Sequence, residues 1–471
     1  MSMRPRRATA QTSPAELALR YQRLVDSRAE LDLDEASLVA VVTYYRRRCM
    51  GDEAFAVARR SLAKYPYSTR LYLAKAKVLA DLHLYDDALE ALERAGTYGP
   101  GTPQVTVQRA EVYAAIGRHE DAFAELDGLG EVDDPVLASM RALAESSVFE
   151  RMGRHDDMYA LLERAVRAWP DNDEALHLMW VCTELTGRHA DTEALCEWVL
   201  RRDPYNAQAW YNLGHACYAQ GKTDLALASL DYATLADPRH ELAYREAGEI
   251  CYETGRHERA VEVYETMMEY LTCDDAVMLR LGQCYYHAGA LAQARLCVNR
   301  VLQHDPAHDE ALYYSGLLHG RAGDWPAAVD ALRAALEAHG RREDYAAALA
   351  DALHEAGDLA AAERHYALAA ELAPDDGARW VALARFRYGS GRYLEALSAL
   401  DEAEDYAVDP RLSYCRVVVM IALGREGAAL RALAELLQES DASFAAHAVV
   451  FEIEPALFEH ELVTQVIRCF S

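Results

Sequence analysis

The sequence predicts an all-α solenoid built from tandem helix-turn-helix units of 34 residues. Three spaced series carry that prediction. Gly214, Gly248, Gly282 and Gly316 recur every 34 residues. Gly221, Gly255, Gly289, Gly323, Gly357 and Gly391 recur with the same step, and so do Ala226, Ala260, Ala294, Ala328, Ala362 and Ala396. Self-similarity at such a period is the signature of a repeat array rather than of a single core.

The frame extends in both directions. Repeat starts fall at residues 35, 69, 103, 139, 173, 207, 241, 275, 309, 343 and 377. The step from 103 to 139 is two residues longer, and the insertion is assigned to the turn around Gly128 and Gly130. Eleven repeats thus cover 35–410, and a degenerate twelfth covers 411–442, with Gly424, Ala429 and Leu433 shifted by one position. Across the eleven, position 8 is small in nine, position 15 is Gly in nine, position 20 is Ala in nine and position 32 is Pro in seven.

Each position has a physical reason. Positions 4, 7, 8 and 11 share one helical face. Small residues at 8 and 20 let the two helices of a repeat approach, and larger groups at 24, such as Tyr264 and Leu332, fill the remaining space. Gly at 15 supplies the left-handed residue that ends the first helix. Pro at 32 cannot continue the second. Three repeats depart from the pattern: Val42 stands at position 8 of the first, Met158 at position 20 of the fourth, and Trp180 and Thr192 at positions 8 and 20 of the fifth. Altered contacts are expected over 139–206.

At the chain ends the pattern predicts caps. Residues 1–12 carry Arg4, Arg6 and Arg7 without a following apolar stretch, which reads as a disordered tail rather than a secretory signal. Their Arg-Arg-Ala-Thr run is too short to mark a kinase site. Ser13-Pro14-Ala15-Glu16 reads as a capping box opening a helix to about Asp26, with Leu17, Tyr21, Leu24 and Val25 on its apolar side; the helix and its lead-in make a capping segment over 13–34. Residues 443–471, including Phe451 and Pro455, read as the C-terminal capping segment.

Composition excludes several functional classes. The formal charge is −28 with a pI near 5.0, a surface that repels nucleic-acid phosphate and anionic membrane. Only four lysines, Lys64, Lys75, Lys77 and Lys222, stand among 48 basic residues, which fits GC-rich codon usage better than salt adaptation. Ten cysteines form no CxxC pair, and Cys217, Cys251 and Cys284 fall at apolar helical positions, as buried thiols in a reducing cytoplasm do. No HExxH, GxSxG, P-loop or GxGxxG motif is present, so no catalytic residue, cofactor or metal site is predicted. His119, His155, His189 and His257 lie just after turn glycines and are expected to be solvated.

The residues Trp210, Leu213, Gly214, Gly221, Ala226, Leu230, Ala233 and Pro238 give the repeat 207–240 a pattern that resembles the tetratricopeptide repeat, with Cys217 in place of the usual tyrosine. The resemblance covers about four-fifths of the chain, and the C-terminal Phe-x3-Pro segment is similar to the endings of long soluble bacterial members. It implies a right-handed superhelix whose concave groove, lined by positions 2, 5, 9 and 12 of each first helix, binds an extended peptide or a partner helix.

On that reading the groove is densest in repeats six to eight. Its candidate partner-binding residues are Tyr211, Asn212, His215, Tyr218, Arg245, Glu249, Tyr252, Arg280, Gln283 and Tyr286. Tyr218, Tyr252 and Tyr286 repeat with a 34-residue step and offer broad, stiff contact area, or else pack on neighbouring helices. Asn212 is suited to clamp a peptide backbone. Arg245 and Arg280 either pair with an acidic ligand group or simply line solvent. The lysines required by the carboxylate clamp of chaperone-binding relatives are missing, so that mode is not predicted. The expected function is a non-catalytic adaptor or scaffold for a protein or peptide, with self-association left open. The alternatives are a regulatory subunit or small-peptide receptor, and, against the charge, an RNA-binding helical repeat.

Overall fold

The computed structural model describes residues 14–27, 32–130, 132–407 and 410–439, and among them every regular element is a helix. The tail 1–12, Ser13 of the capping box and the capping segment 443–471 lie outside the described residues. The chain divides into two compact units, Met1–Glu246 and Ala247–Ser471.

The first unit contains α1 (Pro14–Asp26), α2 (Glu35–Arg47), α3 (Gly51–Lys64), α4 (Thr69–Asp81), α5 (Tyr85–Tyr98), α6 (Pro103–Ala115), α7 (His119–Asp127), α8 (Pro135–Arg151), α9 (His155–Ala168), α10 (Asp173–Thr186), α11 (His189–Leu200), α12 (Ala207–Ala219) and α13 (Thr223–Ala236). The helix α14 (Glu241–Glu253) carries the division. The second unit continues with α15 (His257–Tyr270), α16 (Asp275–His287), α17 (Leu291–His304), α18 (Asp309–Arg321), α19 (Trp325–Ala338), α20 (Glu343–Glu355), α21 (Leu359–Leu372), α22 (Gly377–Gly389), α23 (Tyr393–Ala403), α24 (Pro410–Ala422) and α25 (Glu426–Glu439). Within each unit a helix packs on the next in the chain. The first helix of a pair also packs on the first helix of the following pair, as α4 does on α6 and α18 on α20. Both units are therefore all-α solenoids of antiparallel helix pairs. No helix of the described residues is long and apolar enough to cross a membrane.

Two kinds of glycine serve two purposes. At Gly214 an added Cβ would lie 2.8 Å from Leu230 Cγ; at Gly248 it would overlap the Tyr264 ring and at Gly316 the Leu332 side chain. These glycines exist for space, because they let a first helix lie against its partner. At Gly221 the surroundings are open, but φ is +76°, a left-handed conformation that closes the first helix. Where repeats one and two lack a glycine at this position, the same geometry is imposed on Cys49 (φ 57°) and His83 (φ 59°).

The alanines at position 20, from Ala54 to Ala396, are fully buried. The exceptions explain the irregular region. Thr192 brings a hydroxyl into the same buried place, where it lies 2.7 Å from Thr183 Oγ1 and 2.9 Å from Tyr159 Oη. Thr183 in turn donates to the Met179 carbonyl at 2.7 Å. α10 and α11 touch each other little, and α10 rests mainly on α9 and α12. Near the inserted residues, α7 stops at Asp127 and α8 opens at Pro135, four residues ahead of the expected start at 139. Asp134 caps α8 by accepting from Val136 N at 3.1 Å, and Pro135 suits its first turn. At the N-terminal end, α1 lays Ala18 and Tyr21 over Leu38, Val41 and Val42, with Leu17, Leu24 and Val25 packed beside them.

Candidate partner-binding site

The ten candidate residues fall into two groups, one in each unit. In the first unit, Asn212 is buried at 1% exposure because α12 is flanked by α10, and both ends of its amide are engaged. Its Nδ2 donates to the Leu176 carbonyl at 2.7 Å, and its Oδ1 accepts from Gln208 Nε2 at 2.9 Å. The expectation that Asn212 clamps a ligand backbone is therefore corrected: it clamps the backbone of the preceding helix pair. Tyr211 is buried as well, its ring 5.1 Å from that of His240. Burial, with Glu246 beside it, pushes the Tyr211 hydroxyl well above its ordinary pKa.

His215 is more open. It bridges Glu246 at 2.6 Å and Glu184 at 2.8 Å. Burial alone depresses its pKa, but the two carboxylates outweigh that and raise it. Tyr218 is half-buried. Arg245 donates to Glu241 at 2.9 Å within its own helix, so its guanidinium already holds a carboxylate.

In the second unit the candidates interlock. Glu249 accepts from Arg280 Nε at 2.9 Å and from Tyr264 Oη at 3.0 Å. Arg280 also donates to Gln283 Oε1 at 2.6 Å and lies 4.6 Å over the Tyr252 ring. Gln283 is 2% exposed, so its place is internal. The Arg280 guanidinium is thus engaged within the chain rather than simply lining solvent. Tyr252 and Tyr286 remain half-exposed and form a strip over the buried Tyr314: the Tyr252 and Tyr314 hydroxyls are 3.4 Å apart, and the Tyr286 and Tyr314 rings lie 5.6 Å apart, edge to face. Arg321 donates to the Tyr286 hydroxyl at 3.3 Å. The tyrosine series ends at Gly320, where Tyr286, Leu317, Trp325 and Ala348 border a slot of about 210 Å³.

The turn histidines are not freely solvated. His119, His155, His189 and His257 are half-buried, each with an Nδ1 shielded from water and lacking a hydrogen bond. They sit at the first position of α7, α9, α11 and α15. His257 stacks on His287 at 4.8 Å; burial and the neighbouring His257 and Arg321 hold His287 below its ordinary pKa. Of the cysteines, Cys182, Cys196, Cys217, Cys251 and Cys284 are buried, whereas Cys49 is exposed. Burial pushes the Cys284 thiol up to about 12. Among the described residues no group of three or more His, Cys, Asp or Glu is placed to hold a metal ion.

The periodic sequence signal misses one site altogether. A cavity of about 440 Å³ opens in the first unit where α2, α4, α6, α8 and α10 converge. Arg46, Lys77, Asp81 and Glu111 line it, joined by Glu150 and Arg151 from α8 and Glu174 from α10. Arg46 and Asp81 form an ion pair at 3.5 Å. Burial raises the pKa of Glu111, against the opposing effect of Lys77, and the Asp81 carboxyl is raised by burial against Arg46. Lys77, Glu111 and Ser147 all stand at position 9 of their repeats and Arg46 and Glu150 at position 12, but the residue type changes at each step, so no recurring identity announces them. The one available signal was Lys77 itself, in a chain with four lysines.

Two tetratricopeptide repeat family models match the chain, one over residues 252–318 and the other over 73–131, 186–233, 214–267 and 313–377. No curated protein matches it. Similar solved structures include the APC/C hetero-tetramer Cut9-Hcn1, 14% identical, covering 88% of this chain and 93% of that chain with a TM-score of 0.40. Yeast Tom70 is 14% identical, with 92% and 98% coverage and a TM-score of 0.41. MamA AMB-1 is 27% identical over 36% of this chain and 99% of that chain, with a TM-score of 0.30.

Proposed function

The chain belongs to the tetratricopeptide repeat family, and from that premise we propose that it is a non-catalytic adaptor whose first-helix face binds a protein or peptide segment. In this reading the pairs from α2 to α23 are eleven repeats, α24 and α25 are the degenerate twelfth, and the molecule works in the reducing cytoplasm that its buried thiols suit. The observation that carries it is the pair of half-exposed tyrosines Tyr252 and Tyr286 on successive first helices, backed by the buried Tyr314 of the next one. Aromatic side chains with two torsions supply large contact area at small entropic cost, and a hydroxyl tip tolerates both water and partner.

Burial and internal hydrogen bonds favour a smaller contact set. Tyr252 and Tyr286, with Tyr218 and His215 in the first unit, are the candidates that keep surface for a partner. Glu249, Arg280 and Gln283 act beneath them by holding the strip in place, and Asn212 and Tyr211 belong to the interior. The test is affinity capture from the native cell with the full chain and with Tyr252→Ala plus Tyr286→Ala. Partners that bind the parent and are lost or reduced at least tenfold with the double variant support the reading. Retention of every captured partner by a folded double variant overturns the assignment of the strip.

A further inference from the structure

The charged cavity of the first unit lies outside the tyrosine strip, and the chemistry of its lining favours one ligand class. Four carboxylates and three cations line it: Asp81, Glu111, Glu150 and Glu174 against Arg46, Lys77 and Arg151. Arg46 and Asp81 are already paired at 3.5 Å. Neither Glu111 nor Lys77 has an ion-pair partner within 4.0 Å among the described residues. One added positive charge would therefore balance the lining.

A second observation points to hydrogen-bond donors. The Gln108 Oε1 is shielded from solvent and has no hydrogen-bond partner. Gln108 and Glu111 are three residues apart on α6 and so share one face of that helix. Both present acceptors to the same cavity. A buried acceptor without a donor costs about 1–3 kcal/mol, and burying a carboxylate costs more. A group rich in N–H donors and carrying one positive charge answers both. Its room of about 440 Å³ admits one long side chain.

We propose that this cavity receives a basic side chain, a guanidinium or ammonium, of the bound protein segment, with Glu111 and Gln108 as its acceptors. The inference deepens the peptide-binding reading and rests on it. Arg46 keeps Asp81 in place and leaves Glu111 and Glu174 to face the ligand, while Lys77 bounds the site and favours a carboxylate next to the basic residue.

The direction of the Glu111 shift gives the site an independent mark. Its pKa is raised in the folded state, chiefly by burial. A carboxyl with a raised folded pKa stabilises at low pH and penalises the fold once pH rises through that value. Glu111→Gln is thus expected to hold or raise the thermal midpoint at neutral pH while losing the ligand. A purely structural Glu111–Lys77 pair would behave in the opposite way, with a lowered midpoint.

The experiment uses the full chain and a capped arginine residue, N-acetyl-arginine N-methylamide, titrated by ligand-observed NMR in 0.15 M salt. Saturable binding is expected, at least tenfold weaker for the neutral citrulline counterpart and at least tenfold weaker with Glu111→Gln. Equal binding of citrulline, or unchanged affinity in Glu111→Gln, overturns the proposal. So does an equal loss with Glu337→Gln, an exposed carboxylate of the other unit, since that signals diffuse attraction to an acidic surface. Tighter binding of spermidine than of capped arginine overturns the peptide source in favour of a free polyamine. Tyr252→Ala plus Tyr286→Ala should bind capped arginine as the parent does, so failure of the strip and failure of the cavity are read separately.

Discussion

Cys49 shows how a single residue carries the strain of the repeat. It holds φ 57°, the conformation that Gly221 and its equivalents adopt freely, and its side chain is exposed. A left-handed conformation costs an L-residue about 1–2 kcal/mol, partly offset when glycine adds entropy to the unfolded chain. Cys49→Gly should therefore raise stability by about 1 kcal/mol, read as a higher urea midpoint with an unchanged slope. An unchanged or lower midpoint would show that the turn is held by something other than backbone preference. At this scale the sequence was legible: nine glycines at position 15 announced the left-handed turn. Asn212 was not legible, because its partner Leu176 lies 36 residues away on another helix pair. An amide that binds a ligand and an amide that binds the neighbouring backbone look alike in a sequence.

Among the elements, the starts of the first helices show a chemical choice with a pH signature. Asp34, Ser68, Asn172, Asn206 and Asp274 cap their helices by accepting from a backbone N–H three residues on. Before α14 that place is taken by His240, whose Nδ1 accepts from Ala243 N at 3.2 Å. Burial depresses the His240 pKa. The cap needs a neutral ring, so its stabilisation is present above the unfolded value near 6.5 and is lost as pH falls through the lower folded value. His215 has the opposite sign: its raised pKa stabilises below that unfolded value and the gain fades as pH rises. Replacing only the cap isolates the first effect. His240→Asn should flatten the fall in thermal midpoint between pH 7 and pH 5 relative to the parent, with the His215 contribution common to both. Parallel pH profiles would remove His240 as the cause.

For the whole molecule, a solenoid confines the effect of a core change to its neighbours. Ala328 is fully buried in the second unit, against α18 and α20. Ala328→Leu overpacks that contact at a cost of about 1–3 kcal/mol. Hydrogen exchange should accelerate in α18 to α21 and stay unchanged in α4 to α9. Uniform acceleration along the chain would mean that the two units share one cooperative core. The helix starts at Thr69, Pro103, Asp173 and Ala207, like the glycine turns, came from local spacing, and local spacing reports local structure. The early start of α8 at Pro135 did not, because the inserted residues shorten α7 as well as lengthening the turn.

By itself the sequence determined the all-α solenoid, its 34-residue step, the left-handed turns and the small residues where paired helices touch. Those features depend on contacts within one repeat, which recur at fixed spacing and so leave a periodic trace. Only the tertiary structure decided which groove side chains are free. Arg280 holds Glu249 from 31 residues away, Asn212 holds the backbone at Leu176, and Glu111 feels the charges of Lys77 from the preceding repeat and Glu174 from two repeats on. Such contacts join different repeats through residue types that do not recur. Their energies are set by burial and charge in three dimensions, and neither leaves a period in the chain.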